Sequence, residues 1–277
     1  MKVFTIAEIG INHNGSLEIA KKLINVAKLA NCDFVKFQKR NPDVCVPEHQ
    51  KGVLRQTPWG EMRYIDYKHK MEFGKEEFDE IDAYCKQQEI QWTTSVWDMD
   101  SLNFSLQYDL PFLKIPSALI TELDLVRETA RNSKQIILSS GMSTEEEVDT
   151  AINTALEVSD NVVMMHCNSS YPCPLEELNL NCITTLKQKY GDKIVVGYSG
   201  HELFLHTSLA AVTLGAQYIE RHITLDRKMW GTDQSCSLEP QGLFRLTQAT
   251  RQLEEALGDG VIRVTESEIP VRNKLRG

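Results

Sequence analysis

The sequence contains no apolar run approaching the ~20 residues of a membrane span, so no segment of it reads as a transmembrane helix. Its seven cysteines show no CxxC spacing. That removes zinc-ribbon and thioredoxin-type motifs and leaves a scattered, odd set that reads as reduced thiols of a cytoplasmic protein. No GxGxxG follows the first apolar strand, which argues against a dinucleotide fold. No HxxxH pair places two imidazoles on one helical turn. Positive charge is in deficit, with 30 Lys and Arg against 39 Asp and Glu and a net charge of −9. An acidic surface disfavours nucleic acid and anionic membrane as main partners, although local lysines can still receive an anionic small molecule. The opening MKVFTIAEIG is too short and too strand-like for a secretory signal.

What remains is a 277-residue chain that is 42% hydrophobic and 25% charged. One α/β barrel needs about 250 residues, so a single domain is expected. Short apolar runs read as strands at Val3–Glu8, Phe34–Gln38, Gln91–Val96, Phe112–Ile115, Gln135–Ser139, Asn161–His166, Ile194–Tyr198 and Gln217–His222. Their near-continuous apolar character suits strands buried on both faces. Helices alternate with them. Ser16 caps one that runs to about Ala30, and Lys75–Gln88, Asp100–Tyr108 and Thr121–Asn132 are others. A Ser143/Glu146 capping box starts the next, another runs to Tyr190, and the last spans Gln241–Leu257 and ends at Gly258. Between the last two strands a helix carries Leu203, Leu209, Val212 and Leu214. Eight alternations predict a (β/α)8 TIM barrel over residues 1–257, with a doubly wound sheet as the alternative. Lys39–Gly74 is a long polar insertion with Trp59, Tyr64 and Tyr67, expected to act as a lid, and residues 258–277 read as a polar tail.

Reacting groups in such barrels sit at the carboxyl ends of strands. Those ends carry Glu8, Lys36, Gln38, Ser95, Lys114, Ser117, Ser139, His166, Ser199, His201 and His222. A lysine inside a strand needs a partner or a ligand. Lys36 and Lys114 therefore read either as an anion pocket or as internal ion pairs with Glu8 and Glu220. Ser117, Ser139 and Ser199 precede turns of small residues, where backbone N–H groups can approach an anion. His201 and His222 end two consecutive parallel strands, which lie side by side. Two imidazoles with oxygen ligands suit Mn²⁺, Fe²⁺, Co²⁺ or Zn²⁺, and Asp233 is a further oxygen candidate.

The stretches AEIGINHNGS, FVKFQK, FLKIPS, LSSGMSTEEE, Tyr171-Pro172-Cys173-Pro174, GYSGH, IERHIT and GTDQSCSLEP occur in that order over residues 3–275. Together they resemble the sialic acid synthase (N-acetylneuraminate synthase) family, whose members are phosphoenolpyruvate-dependent TIM barrels. The resemblance implies condensation of phosphoenolpyruvate with an N-acetylated amino sugar, releasing phosphate. It implies that His201 and His222 hold a divalent metal, commonly Mn²⁺. It implies that Lys36, Lys114, Ser117, Ser139, Ser169 and Ser199 hold phosphoenolpyruvate, and that Glu8, Tyr171 and Asp233 contact the sugar. Leu119 replaces an acidic residue and Ser169 an asparagine found in members specific for N-acetylmannosamine. A related sugar, such as a 2,4-diacetamido-6-deoxy hexose or a 6-phosphate, fits these departures. The family's C-terminal antifreeze-like domain is expected to be absent after Arg276-Gly277, and a homodimer is possible. Rival readings are a Schiff-base aldolase acting through Lys36 or Lys114 and a non-catalytic binding subunit.

Overall fold

The computed structural model describes residues 2–276. Eight parallel strands form a closed barrel: β1 (Phe4–Gly10), β2 (Phe34–Lys39), β3 (Gln91–Val96), β4 (Leu113–Ile115), β5 (Ile136–Ser139), β6 (Val162–Cys167), β7 (Val195–Gly200) and β8 (Tyr218–His222). Each strand pairs with its neighbours in sequence, and β8 closes onto β1 with Glu8 opposite His222. The (β/α)8 expectation holds and the open-sheet alternative does not.

Alternation along the strands divides the barrel interior into two storeys. Towards the amino ends, Ile6, Phe34, Phe112, Ile137, Val163, Met165 and Tyr218 form one apolar plug. Two residues further along the same faces stand Glu8, Lys36, Lys114, Ser139, Cys167 and Glu220. The outward faces of the strands join Leu23, Ile24, Ile81, Val126, Ile152, Ile183 and Val212 of the helices in the larger core. The plug gives the polar storey a dry floor.

Local signals decide the helix ends. Ser16 caps Leu17–Leu29 by accepting from the Ile19 N–H. The box expected at Ser143/Glu146 lies one residue on: Thr144 accepts from the Glu147 N–H at 3.3 Å, and Glu147 accepts the Thr144 N–H at 2.7 Å. Both registers satisfy the S/T-x-x-E pattern, but Ser143 turns its hydroxyl to the Gly141 carbonyl instead. The helix after β7 spans only His206–Thr213, so Leu203 lies outside it and is exposed. The Lys39–Gly74 insertion is structured, with short helices at Pro42–Cys45 and Glu48–Lys51, a hairpin of Leu54–Thr57 with Gly60–Arg63, and a helix at Tyr64–Met71. Its Tyr67 is buried edge-on against Trp230 at 5.3 Å, which ties the insertion to the loop after β8. Beyond the last barrel helix, Pro240–Ala256, the tail carries an exposed helix at Ile269–Arg276. Among the described residues no helix is long and apolar enough to cross a membrane.

The two cap registers make opposite predictions. Thr144→Ala should lower unfolding free energy by about 1 kcal/mol in urea, the usual worth of an N-cap hydroxyl, while Ser143→Ala should leave it unchanged.

Candidate active site

Four charged side chains from four strands meet on top of the apolar plug. Glu8 Oε2 lies 2.6 Å from Lys36 Nζ, and Lys36 Nζ lies 3.7 Å from Glu220 Oε2. Glu220 Oε1 lies 2.6 Å from Lys114 Nζ and accepts the Ser199 hydroxyl at 3.1 Å. All four are buried. The strand registers create this chain, because Glu8 pairs with Lys36 across β1–β2 and Glu220 with Ser199 across β7–β8. Both readings of the strand lysines are therefore present at once: each is paired with a carboxylate, and each lines the cavity. Burial opposes the Lys36 charge, but the Glu220 and Glu8 carboxylates outweigh it and hold the ammonium above its ordinary range. Burial likewise opposes ionisation of Glu220, and Lys114 and Lys36 hold it well below the usual carboxylate range.

The two imidazoles stand on one wall. Their ring centroids are 5.3 Å apart at an interplanar angle of 55°, so the strand-end convergence holds. His201 Nδ1 lies 2.6 Å from the Asn168 carbonyl. A backbone acceptor there fixes the proton on Nδ1 and leaves the Nε2 lone pair free. His222 Nδ1 is buried with no hydrogen-bond partner and lies 3.8 Å from Asp233 Oδ2. The Tyr171 ring covers His201 at 4.0 Å and meets His222 edge-on at 5.7 Å. Burial first, and the facing His222 second, push the His201 imidazole down to about 3.

The opposite wall is a turn pressed against hydroxyls. The Gly141 N–H donates to Ser117 Oγ at 3.1 Å. A Cβ at Gly141 would lie 2.2 Å from Ser169 Oγ and 2.8 Å from Ser117 Oγ, so only glycine admits this approach. The Ser139 hydroxyl and the Trp97 indole N–H, both at the cavity, are buried without a partner. Unsatisfied buried polar atoms are costly, and a polar ligand in the cavity would satisfy them.

Glu8, Lys36, Lys114, Ser117, Ser139, Ser169, Tyr171, Ser199, His201 and His222 thus line one cavity of about 290 Å³, together with Gln38 and Ser95. Asp233 stands beside it through His222. His166 is a correction. It follows Met165 of the interior plug, so alternation turns it outward, where Nε2 meets the Leu178 carbonyl at 2.6 Å. Sequence reasoning named Glu220 only as an ion-pair partner and missed Trp97, Met142 and Cys167. Glu220 was within reach, since it lies two residues before His222 on the same face of β8. Among the described residues no cluster of three His, Cys, Asp or Glu side chains is arranged to hold a metal ion, so the chain itself offers the two imidazoles.

The model of the NeuB family matches residues 23–262. The chain belongs to the NeuB family. Its relatives include an N,N'-diacetyllegionaminic acid synthase of Campylobacter jejuni, 38% identical over 96% of this chain and 81% of the relative. The N-acetylneuraminate-9-phosphate synthase of Homo sapiens is 33% identical over 98% of this chain and 76% of its own length. A crystal structure titled N-acetylneuraminic acid (sialic acid) synthetase, from Leptospira borgpetersenii and in complex with citrate, superposes with a TM-score of 0.87. It is 32% identical and covers 100% of this chain and 93% of its own. A truncated 3-deoxy-D-arabino-heptulosonate 7-phosphate synthase from Thermotoga maritima, at 14% identity and a TM-score of 0.70, shares the fold. These family relatives are named as synthases, and the chain is an enzyme of that family.

The buried histidines set the acid response of the metal-free protein. His13 is also pushed down to about 3, by burial and then by Arg40. Below the ordinary histidine value of 6.5 the unfolded chain takes up protons that the folded chain refuses, so stability falls as pH drops through that range. Each histidine should cost on the order of 2 kcal/mol by pH 5, whereas the Glu220 contribution persists until lower pH. Urea unfolding at pH 7.5 and pH 5 measures this, and His13→Gln should remove part of the loss.

Proposed function

We propose that this chain condenses phosphoenolpyruvate with an N-acetylated amino sugar to give a nine-carbon 2-keto acid and inorganic phosphate. The observation that carries the reading is the continuous line from Glu8 through Lys36 and Glu220 to Lys114, sharing one cavity with two converging imidazoles. Membership in the NeuB family, with relatives named as N,N'-diacetyllegionaminic acid and N-acetylneuraminate-9-phosphate synthases, supports the reaction class.

Lys36 and Lys114 carry fixed ammonium donors to the phosphate and carboxylate of phosphoenolpyruvate. The Ser139 hydroxyl has no partner, and that of Ser117 only accepts, from Gly141. Both O–H groups are thus free to donate to the same anion, with Ser169 beside them. Ser199 donates to Glu220 and acts through that carboxylate. Glu8, Tyr171 and Asp233 form the side on which the sugar lies, with Glu8 placed to accept a sugar hydroxyl. Residues 1–257 are the catalytic unit, and the insertion held by Tyr67 on Trp230 excludes water from it.

His201 and His222 are the residues that would hold a divalent cation, Mn²⁺ in our reading. They fit it because both rings are buried, His201 Nε2 is left free by the Asn168 contact, and His222 Nδ1 is unpartnered. The charge balance points the same way: two lysines and two carboxylates sum to zero, so an incoming polyanion calls for a further positive charge. When bound, the cation supplies Lewis-acid polarisation of the sugar carbonyl. The seven unpaired thiols suit action in the cytoplasm.

Phosphate release with phosphoenolpyruvate, Mn²⁺ and each of N-acetylmannosamine, its 6-phosphate and a 2,4-diacetamido-6-deoxy hexose tests the proposal. One sugar should support turnover, and release with none of them would sink the reading. His222→Ala should abolish cation-dependent turnover in a folded protein. Lys114→Met should raise the phosphoenolpyruvate KM at least about tenfold, since a hydrogen bond to a charged group is worth about 1.5–3 kcal/mol.

A further inference from the structure

We propose that the buried Arg221–Glu202 ion pair sets the spacing of the two imidazoles, making Arg221 and Glu202 positioning residues of the cation site. The inference rests on the reading of His201 and His222 given above. Glu202 directly follows His201 and Arg221 directly precedes His222. Alternation turns His222 into the barrel and Arg221 out of it, so each histidine has one half of the pair behind its own backbone.

The pair is closed off from water, with side-chain exposures of 1% for Arg221 and 0% for Glu202. Arg221 Nη1 donates to Glu202 Oε1 at 2.9 Å, to Ser208 Oγ at 2.9 Å and to the Phe204 carbonyl at 3.0 Å. Its Nη2 donates to the Glu202 carbonyl. The Tyr198 hydroxyl donates to Glu202 Oε2 at 2.9 Å, and Thr207 donates to Oε1. One guanidinium therefore ties β8 to the loop after His201 through two backbone carbonyls and a side chain. One carboxylate ties that loop back to β7 and to the start of the His206–Thr213 helix. The carboxylate lies directly on Gly200: a Cβ there would sit 2.6 Å from Glu202 Oε2. His201 is thus held on both sides in sequence, while its carbonyl receives the Cys173 N–H at 3.2 Å and its ring is held by Asn168.

A buried ion pair can be replaced by apolar residues of similar volume at little cost to stability, whereas a planar five-donor fork fixes geometry that apolar packing does not. What the network adds is a defined distance between two strand ends, which is what a site with only two protein ligands needs. Groups that orient ligands from behind typically change metal affinity by about 10–100-fold when removed.

Titration of metal-free protein with Mn²⁺ alone, followed by the electron paramagnetic resonance of free Mn²⁺, tests this. Wild type should bind and His222→Ala should not; if wild type fails to bind, or His222→Ala binds equally, the cation-site reading falls and this inference with it. Given that difference, Glu202→Gln and the apolar double variant Glu202→Leu/Arg221→Met should unfold cooperatively. Both should bind Mn²⁺ about 10–100-fold more weakly. Both should also bind phosphoenolpyruvate without cation as wild type does, and turn over with reduced kcat at unchanged phosphoenolpyruvate KM. Arg221→Lys keeps the charge but not the fork, and should show the same Mn²⁺ weakening, which keeps the test decisive where the double variant does not fold. Folded variants that bind Mn²⁺ as tightly as wild type would overturn the positioning role while leaving the cation site intact.

Discussion

Glu220 shares its carboxylate between two lysines inside a closed barrel, and the site depends on that sharing. Both ammonium groups are buried, so each charge is tolerable only because the others are present. This ties four strands together. β1, β2, β4 and β8 must keep their register for Glu8, Lys36, Lys114 and Glu220 to meet. A slip of one residue on any of them would turn a charge into the apolar layer. The same registers bring Glu8 level with His222, so the constraint that neutralises the floor also delivers an imidazole to the wall.

The two-storey interior makes this affordable. Phe34 and Phe112 meet edge to face at 5.1 Å in the plug, and Phe4 stacks on Tyr218 at 4.9 Å at its amino end. The plug keeps solvent from reaching the lysines from below. Above, the Tyr171 ring lies over His201, and Tyr67 of the insertion packs against Trp230 of the loop after β8. Electrostatic interactions are stronger in such a partly dry space than in water, so a few fixed donors can orient an anion without a large excess of positive charge.

Much of this was legible in the residues because it follows strict periods. Lysines inside FVKFQ and FLKIP stand out since a strand lysine must be explained, and the explanation lies in the cavity. His201 and His222 could be paired because parallel neighbours align their carboxyl ends. What escaped depends on quantities that period alone does not carry. His166 lies one residue before the end of β6 whereas His222 ends β8, and its phase relative to Met165 sends it outward. The cap at Thr144 rather than Ser143 turns on which hydroxyl the Gly141 carbonyl takes. Trp97 was invisible as a site residue because nothing in its neighbourhood of sequence indicates that its indole N–H goes unpaired. The 39–74 insertion lacked long periods, and its order comes from tertiary contacts such as Tyr67 on Trp230.

The central claim of the proposed function is that the carboxylate-paired lysines serve as ion-pairing donors to an anion, not as amines that attack a carbonyl. Borohydride reduction in the presence of phosphoenolpyruvate and the turned-over sugar, followed by peptide mass spectrometry, tests it most directly. The account predicts unmodified Lys36 and Lys114 under conditions of full turnover. A reduced substrate adduct on either lysine would contradict it.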